Sequence, residues 1–429
     1  MPGGDEVAAT GMKLLLYSAN FAPEPTGIGK YSGEMAAWLA AQGHEVRVVC
    51  APPYYPAWRV AGGYRWPPYR HERWQGVRVW RAPLWVPAQP GGLARVLHLA
   101  SFALASLPPL LRQAPWRPDV VLTVAPALAC APAGWALARL CGARAWLHLQ
   151  DFEVDVALRM GLLRRGAGLL RAAESALLRR FDVVSTISQR MREHLLRKGV
   201  AEGRTRMLVN WADVEAITPL AAPSAYRAEL GLAAGARVAL FAGSLGAKQG
   251  LGLLPQAAQR LAGRGDIVFV VCGEGALRAE LEAAARALPN LRLLPLQPLE
   301  RLGELLGLAD VHLLPQSVQA EDLVLPSKLT NMLASGRPVV ATCRPGTELA
   351  GVVGQCGLVV PPDDAQALAA AVATLVDDEP RRLRLGRSAR EHALQHLGRE
   401  AVLRGLEAQL LALCGKAAAE AVVTSGPLP

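Results

Sequence analysis

The chain has 429 residues, of which 52% are hydrophobic, with seven cysteines and a formal net charge of +10. This length fits two or three domains, and the apolar fraction is ample for large cores, which excludes disorder for most of the chain. Cys50, Cys130, Cys141, Cys272, Cys343, Cys356 and Cys414 form no Cys-x-x-Cys pair. They encode neither a zinc site nor a disulfide framework, and they read as small buried hydrophobes in a reducing cytoplasm.

Met1–Thr10 is acidic, lacks the basic-then-apolar pattern of a secretory signal, and reads as a loose leader. Lys13–Ser18 is a short apolar run of the kind expected for a strand buried on both faces of a parallel sheet. The turn Asn20–Gly29 cannot continue it. Pro23 and Pro25 remove backbone donors, while Gly27 and Gly29 permit positive φ and close approach of a ligand to the main chain. A helix is predicted from Lys30, with Tyr31, Met35, Trp38 and Leu39 on its apolar face and Gly43 at its end, followed by a strand over His44–Cys50. A strand, turn and helix in this order aim a helix N-terminus at the turn, where an anion is the natural guest. Gly33 is displaced by one residue from a dinucleotide fingerprint, and no acidic residue closes the second strand, which weakens a nicotinamide-binding reading.

Further strands of a first sheet are predicted at Val77–Trp80, Val120–Thr123, Ala145–Leu149 and Val183–Thr186. Asp151 follows the third of these and is the candidate to relieve an attacking hydroxyl of its proton or to orient an acceptor; His148 is the alternative and also fits a core position. This half is basic. Of the 46 Lys and Arg, 26 lie at or before Leu220, against 16 of the 36 Asp and Glu, so the remainder of the chain is neutral. Nucleic acid is disfavoured as the partner because the arginines are dispersed and no nucleic-acid motif accompanies them. An anionic membrane face has more support. Leu93–Leu111 is strongly apolar, and Arg159–Arg180 alternates basic residues with leucines at helical spacing. Each basic residue near an anionic leaflet contributes roughly 1 kcal/mol. Leu93–Leu111 is only just long enough to span a bilayer and is interrupted by prolines, so interfacial contact and core packing both stay open.

Asn210–Ala225 reads as a connector, after which strands are predicted at Arg237–Phe241, Ile267–Val271, Leu291–Leu294, Val311–Leu314 and Pro338–Ala341. Strands alternating with helices give an α/β chain of two doubly wound, Rossmann-like domains facing a cleft, over residues 12–218 and 226–400, with a C-terminal helix and tail over 401–429. Three turns in the second half suit a diphosphate. Gly243-Ser244 with Lys248 follows the first strand, Gly273-Glu274-Gly275 follows the second, and Ser327-Lys328 opens a helix ending at Ser335-Gly336. A charge-assisted hydrogen bond is worth about 1.5–3 kcal/mol, so Lys248, Lys328 and helix amides together hold a diphosphate without a metal. No metal-ligand cluster is visible in the sequence.

These turns, with Pro326-Ser327-Lys328 leading into Leu333-Ala334-Ser335-Gly336-Arg337-Pro338, resemble retaining nucleotide-sugar-dependent glycosyltransferases of the GT-B class, family four. Thr26–Tyr31, Ala51–Pro56 and Gln150–Asp155 are similar to the colanic-acid-type exopolysaccharide transferases. The resemblance covers roughly Met12–Leu410 and implies transfer with retention from a nucleotide-diphosphate sugar, with GDP-fucose as one possible donor, to a lipid-linked saccharide at the inner face of the cytoplasmic membrane. It implies donor contacts from Gly27, Gly29, Gly243, Ser244, Lys248, Gly273, Glu274, Gly275, Gln297, Ser327, Lys328 and Asn331, with Leu296-Gln297-Pro298 bordering the base. Two departures stand out. Many relatives carry two glutamates before the Ala-Ser-Gly turn, where this chain has Leu323 and Asn331, and an arginine where it has Ser244. Phosphate charge compensation therefore rests on Lys248 and Lys328. Two other classes remain open on the residues alone: a nucleotide-dependent oxidoreductase, and a non-catalytic assembly module docking through its basic half.

Overall fold

The computed structural model describes residues 11–88, 92–125, 127–152, 154, 166–246, 249–317 and 326–416. Within these the chain forms two units, one up to Leu208 and again from Leu403, the other over Val209–Val402.

The first unit is built on eight strands: β1 Lys13–Ser18, β2 Glu45–Cys50, β3 Arg70–Trp74, β4 Val77–Arg81, β5 Val120–Val124, β6 Arg144–Leu149, β7 Val183–Thr186 and β8 Thr205–Met207, in the order β3-β4-β2-β1-β5-β6-β7-β8. β1 lies at the centre, with Leu14 opposite both Val46 of β2 and Val120 of β5. Central strands of this kind are apolar on both faces because helices cover both. The helix Gly27–Ala41 starts three residues earlier than its periodicity predicts, since Gly27 adopts φ +62° and turns the chain into the helix. Two strands are invisible to an apolar-run criterion. β3 is the polar edge strand Arg-His-Glu-Arg-Trp, antiparallel to β4 through Gln75-Gly76, both at positive φ as a tight hairpin turn needs; β8 is only three residues long.

The second unit holds β9 Arg237–Ala242, β10 Ile267–Cys272, β11 Leu291–Leu294, β12 Val311–Leu314, β13 Val339–Thr342 and β14 Gly357–Val360, all parallel, in the order β11-β10-β9-β12-β13-β14. The chain winds outward from β9 through β10 to β11, then returns to β12 on the other side of β9. The C-terminal ends of β9 and β12 therefore flank a topological switch point, the crevice where open α/β sheets bind ligands. Near the end of the chain, Leu403, Leu406 and Leu410 are buried, and Glu407 Oε1 lies 2.8 Å from His44 Nε2 of the first unit, to which these residues belong.

Arg81 is the unexpected member of the first core. The alternation along β4 buries Val77, Val79 and Arg81 on one face. The guanidinium donates to Glu72 Oε1 at 2.6 Å, Ala51 O at 2.9 Å and Ala22 O at 2.7 Å, which ties the loops after β1 and β2 to the hairpin. Removing one partner of a buried ion pair costs about 3–5 kcal/mol. Arg81→Met is expected to lower stability by this amount, measured as an earlier urea transition of the first unit's tryptophan fluorescence.

Candidate active site

The switch point of the second unit brings three loops together, and glycine makes their contact possible. An added Cβ at Gly273 would lie 1.9 Å from Gly243 O, and one at Gly275 would lie 2.6 Å from Leu245 O; both glycines also have φ near +150°. Leu245 N donates to Glu274 O, and Leu277 N donates to Leu245 O. The Gly273-Glu274-Gly275 turn thus packs backbone against backbone beneath the Gly243 turn and shapes it. Arg278 fixes it from the other side by donating to Gly273 O at 2.7 Å and to Glu274 Oε1 at 3.1 Å. Gly250 packs on the backbone of Gln316 and Ser317, and Gln316 is held in turn by Thr342 Oγ1.

Into this assembly points Lys328. It occupies the first turn of the helix Ser327–Ala334, whose N-terminus no side chain caps. Its Nζ is buried, lies 4.3 Å from the centre of the Phe241 ring, and sits 3.1 Å from where a Cβ on Gly243 would be. No hydrogen-bond acceptor meets this nitrogen among the described residues. Burial pushes the Lys328 pKa down to about 8. The half-buried Asn331 lies one turn on from both the exposed Ser327 and Lys328, at i+4 and i+3. Ser244 is exposed on the Gly243 turn. Gln297 is committed elsewhere: its Oε1 accepts from Tyr226 Oη at 2.9 Å and its Nε2 donates to Pro295 O at 2.8 Å. Lys248 and Leu323 lie outside the described residues.

The helix carrying Lys328 is anchored by Arg390 and His312, which no sequence motif marks, and by the expected glycine at its end. Arg390 donates to Ala334 O, Ile217 O and Val214 O, closing the helix C-terminus. Gly336, at φ +68°, ends the helix against Pro219. His312, fully buried in β12, meets Ser335 Oγ at 2.9 Å, and burial with the nearby Arg337 charge pushes its pKa down to about 3. It is a neutral strut.

In the first unit the opening turn is folded back on itself. An added Cβ at Gly29 would collide with the Glu24 side chain, and one at Gly33 would meet Ala22 Cβ at 2.7 Å. Glu24 is buried; its Oε1 accepts from Tyr54 N and Tyr55 N, and its Oε2 accepts from Asn20 Nδ2. Burial raises the Glu24 carboxyl above the usual carboxylate range, partly offset by these donors. The space at Gly29 is therefore filled by the turn's own carboxylate, and Gly27 faces Tyr55. At the end of β6, His148 is 3% exposed, with Nδ1 2.9 Å from Ser185 Oγ and Nε2 3.0 Å from the Gln150 amide nitrogen. Burial pushes its pKa down to about 4, so the ring is neutral at physiological pH. Asp151 is half-buried just beyond the strand. No group of three or more metal-ligating side chains occurs among the described residues.

Two family models match: Glycosyl transferase 4-like domain over residues 26–211 and Glycosyl transferases group 1 over residues 224–392. The chain is 43% identical over 408 residues to the protein named as colanic acid biosynthesis glycosyl transferase WcaI of Escherichia coli (strain K12), covering 92% of this chain and 98% of that one. The chain belongs to glycosyltransferase family four. Its fold is GT-B, two Rossmann-like domains, and solved structures agree. Sucrose-phosphate synthase from Thermosynechococcus elongatus superposes with a TM-score of 0.70 at 20% identity, covering 93% of this chain and 99% of that one. Anabaena HepE in complex with UDP and glucose gives 0.68 at 15% identity, with coverages of 93% and 100%. For a family-four enzyme the donor is a nucleotide sugar, and the readings as an oxidoreductase or a non-catalytic module give way to it.

A nucleoside diphosphate bound at the Gly243 turn would restore the ordinary pKa of Lys328 by pairing its charge. Affinity for UDP or GDP is then expected to be near its maximum around pH 7, where the terminal phosphate is ionised and the lysine still charged, and to weaken by up to about tenfold per pH unit above 8, as read by calorimetric titration across pH.

Proposed function

We propose that the protein transfers a sugar, with retention of anomeric configuration, from a nucleotide-diphosphate sugar to a lipid-linked saccharide in exopolysaccharide assembly. The observation that carries this reading is the buried ammonium of Lys328 beside the Gly243 turn, which meets no acceptor among the described residues. Departure of the diphosphate develops negative charge there, and a preorganised cation in a dry setting stabilises it most when the bond is broken. The uncapped helix N-terminus at Ser327 adds its dipole in the same sense. Lys248 supplies a second charge in this reading, and Asn331 takes the place of a carboxylate on the ribose.

In the first unit, Asp151 orients the acceptor hydroxyl while the leaving phosphate receives its proton. His148 positions Gln150 and the strand end; a neutral imidazole with both nitrogens engaged has little left for proton transfer. GDP-fucose is the donor to test first, since the exopolysaccharide resemblance points to it.

The enzyme works, in this reading, at the inner face of the cytoplasmic membrane, held peripherally. The helices Gly92–Ala105 and Leu107–Leu111 bury His98, Phe102 and Leu110 against the first unit and leave Leu93, Leu97, Leu104, Leu107 and Leu111 exposed at helical spacing, Leu93 and Leu104 by about 70%. By length and composition Gly92–Leu111 could cross a membrane, but a helix with one buried face lies on a bilayer more readily than across it. Exposed Arg95 and Arg112 flank the stripe and suit an anionic surface.

Lys328→Ala and Lys248→Ala are each expected to lower kcat/KM by at least about 10², measured as nucleoside-diphosphate release from GDP- and UDP-sugars with lipid-linked saccharide acceptors. Rates equal to wild type would sink the transferase reading. Replacing Leu97 and Leu104 together by Ser is expected to abolish co-sedimentation with phosphatidylglycerol vesicles while leaving UDP and GDP binding intact; unchanged co-sedimentation would remove the membrane assignment.

A further inference from the structure

The donor chemistry makes no use of residues 51–69, although this short segment holds four of the chain's seven tyrosines and two of its ten tryptophans. It runs between β2 and β3 without a strand or helix of its own, yet it is firmly fixed. Glu24 accepts from the backbone of Tyr54 and Tyr55, Tyr54 Oη donates to Asn20 Oδ1 at 3.3 Å, and Tyr69 Oη donates to Ala105 O at 3.0 Å. Trp58 is held at φ +50°, a left-handed conformation costly for a bulky residue. Its ring packs edge-on against Tyr54 and Tyr55 and lies 5.3 Å from the His98 ring. Strain retained in so well-anchored a loop marks a surface whose shape matters.

That surface has two pockets, of about 300 Å³ and about 340 Å³, separated by Arg59 and Val60, which line both. The smaller is walled by Tyr54, Tyr55 and Pro23, the larger by Trp58, Tyr64 and Arg65. Each is at the lower end of the size range of small-molecule sites and takes one sugar residue. Aromatic walls suit the apolar C–H faces of a sugar ring, toward which a π-face presents partial negative charge. Arg59 and Arg65 are exposed, and neither guanidinium has a hydrogen bond or ion pair among the described residues. In a chain whose other arginines repeatedly find carboxylates or carbonyls, a forked donor left open over an aromatic pocket fits a carboxylate or a phosphate.

We propose that the two pockets astride Arg59 form a subsite for an anionic saccharide, in which the aromatic walls hold sugar rings and Arg59 with Arg65 binds an acidic group on or next to a ring. The proposal rests on the transferase reading and names the acceptor's chemical class. It also gives the acceptor a path: the segment is tied to the helix Gly92–Ala105 at Ala105 and His98, and the opposite face of that helix carries the exposed leucines. An acidic saccharide in the pockets and its lipid beside the leucine stripe occupy adjoining ground.

The test is ligand-observed saturation-transfer NMR on the full-length protein with methyl β-glucuronide, glucose 1-phosphate and methyl β-glucoside. Either acidic probe should bind more tightly than the neutral glucoside, with affinity lowered about tenfold by Arg59→Ala and unaffected by Lys328→Ala. Binding of the glucuronide identifies the acidic group as a ring carboxylate, and binding of glucose 1-phosphate identifies it as a phosphate. If neither acid outcompetes the glucoside, or if Arg59→Ala changes nothing, the proposal is overturned. Donor turnover without Arg59-dependent binding would sink this subsite alone, whereas Arg59-dependent binding without turnover would sink the transferase reading alone.

Discussion

A buried ammonium with no acceptor is an expensive thing to keep in a folded protein. Among the described residues no acceptor meets its nitrogen, and the compensation found there is the face of Phe241. Lys328 nevertheless stands at the switch point of a parallel sheet, in the first turn of a helix and against a glycine turn. All three features favour an anion at one place. In the proposed function, a phosphate arriving there would offset the cost of desolvating the lysine, so that the interaction is withheld from the free protein and spent on the ligand.

Much of the second unit can be understood as what is needed to hold that nitrogen still. Arg390 ties the last carbonyl of helix Ser327–Ala334 to the connector at Val214 and Ile217, and His312 holds Ser335 just beyond it. The Gly273-Glu274-Gly275 turn buttresses the Gly243 turn through its backbone, which is why its glycines cannot carry side chains. The first unit uses the same logic with opposite charge. Glu24 is buried by the turn that it stabilises, and Arg81 draws the neighbouring loops onto the hairpin. Both units therefore bury ionisable groups beyond the C-terminal ends of sheet strands: in the first they set the shape of loops, and in the second the proposed role is to receive an anion.

The apolar runs along the chain were enough to find the central strands, because a strand covered on both faces must be hydrophobic throughout. β3 escaped for the reverse reason: as an edge strand its residues answer to solvent and to one neighbour. β14 was hidden by its first residue, since Gly357 is required where an added Cβ would collide with Val339 O. The place of Lys328 in the first turn of a helix was legible from Pro-Ser-Lys leading into an apolar stretch. Arg81 could have been found, for it shares the inward register of Val77 and Val79. His312 and Arg390 carry no local signal; their roles arise from contacts with residues 23 positions away or more. Gly29 shows the limit of motif reading, as its missing side chain makes room for Glu24 within the turn itself.

Proton uptake on ligand binding tests the role of Lys328 most directly. Calorimetric titration of the nucleoside diphosphate at pH 8, repeated in buffers of different ionisation enthalpy, counts the protons taken up. If the buried ammonium is the anion's partner, about half a proton should be absorbed per diphosphate bound, and none should be absorbed by the Lys328→Met protein. Equal uptake by both proteins, or none by either, would contradict it.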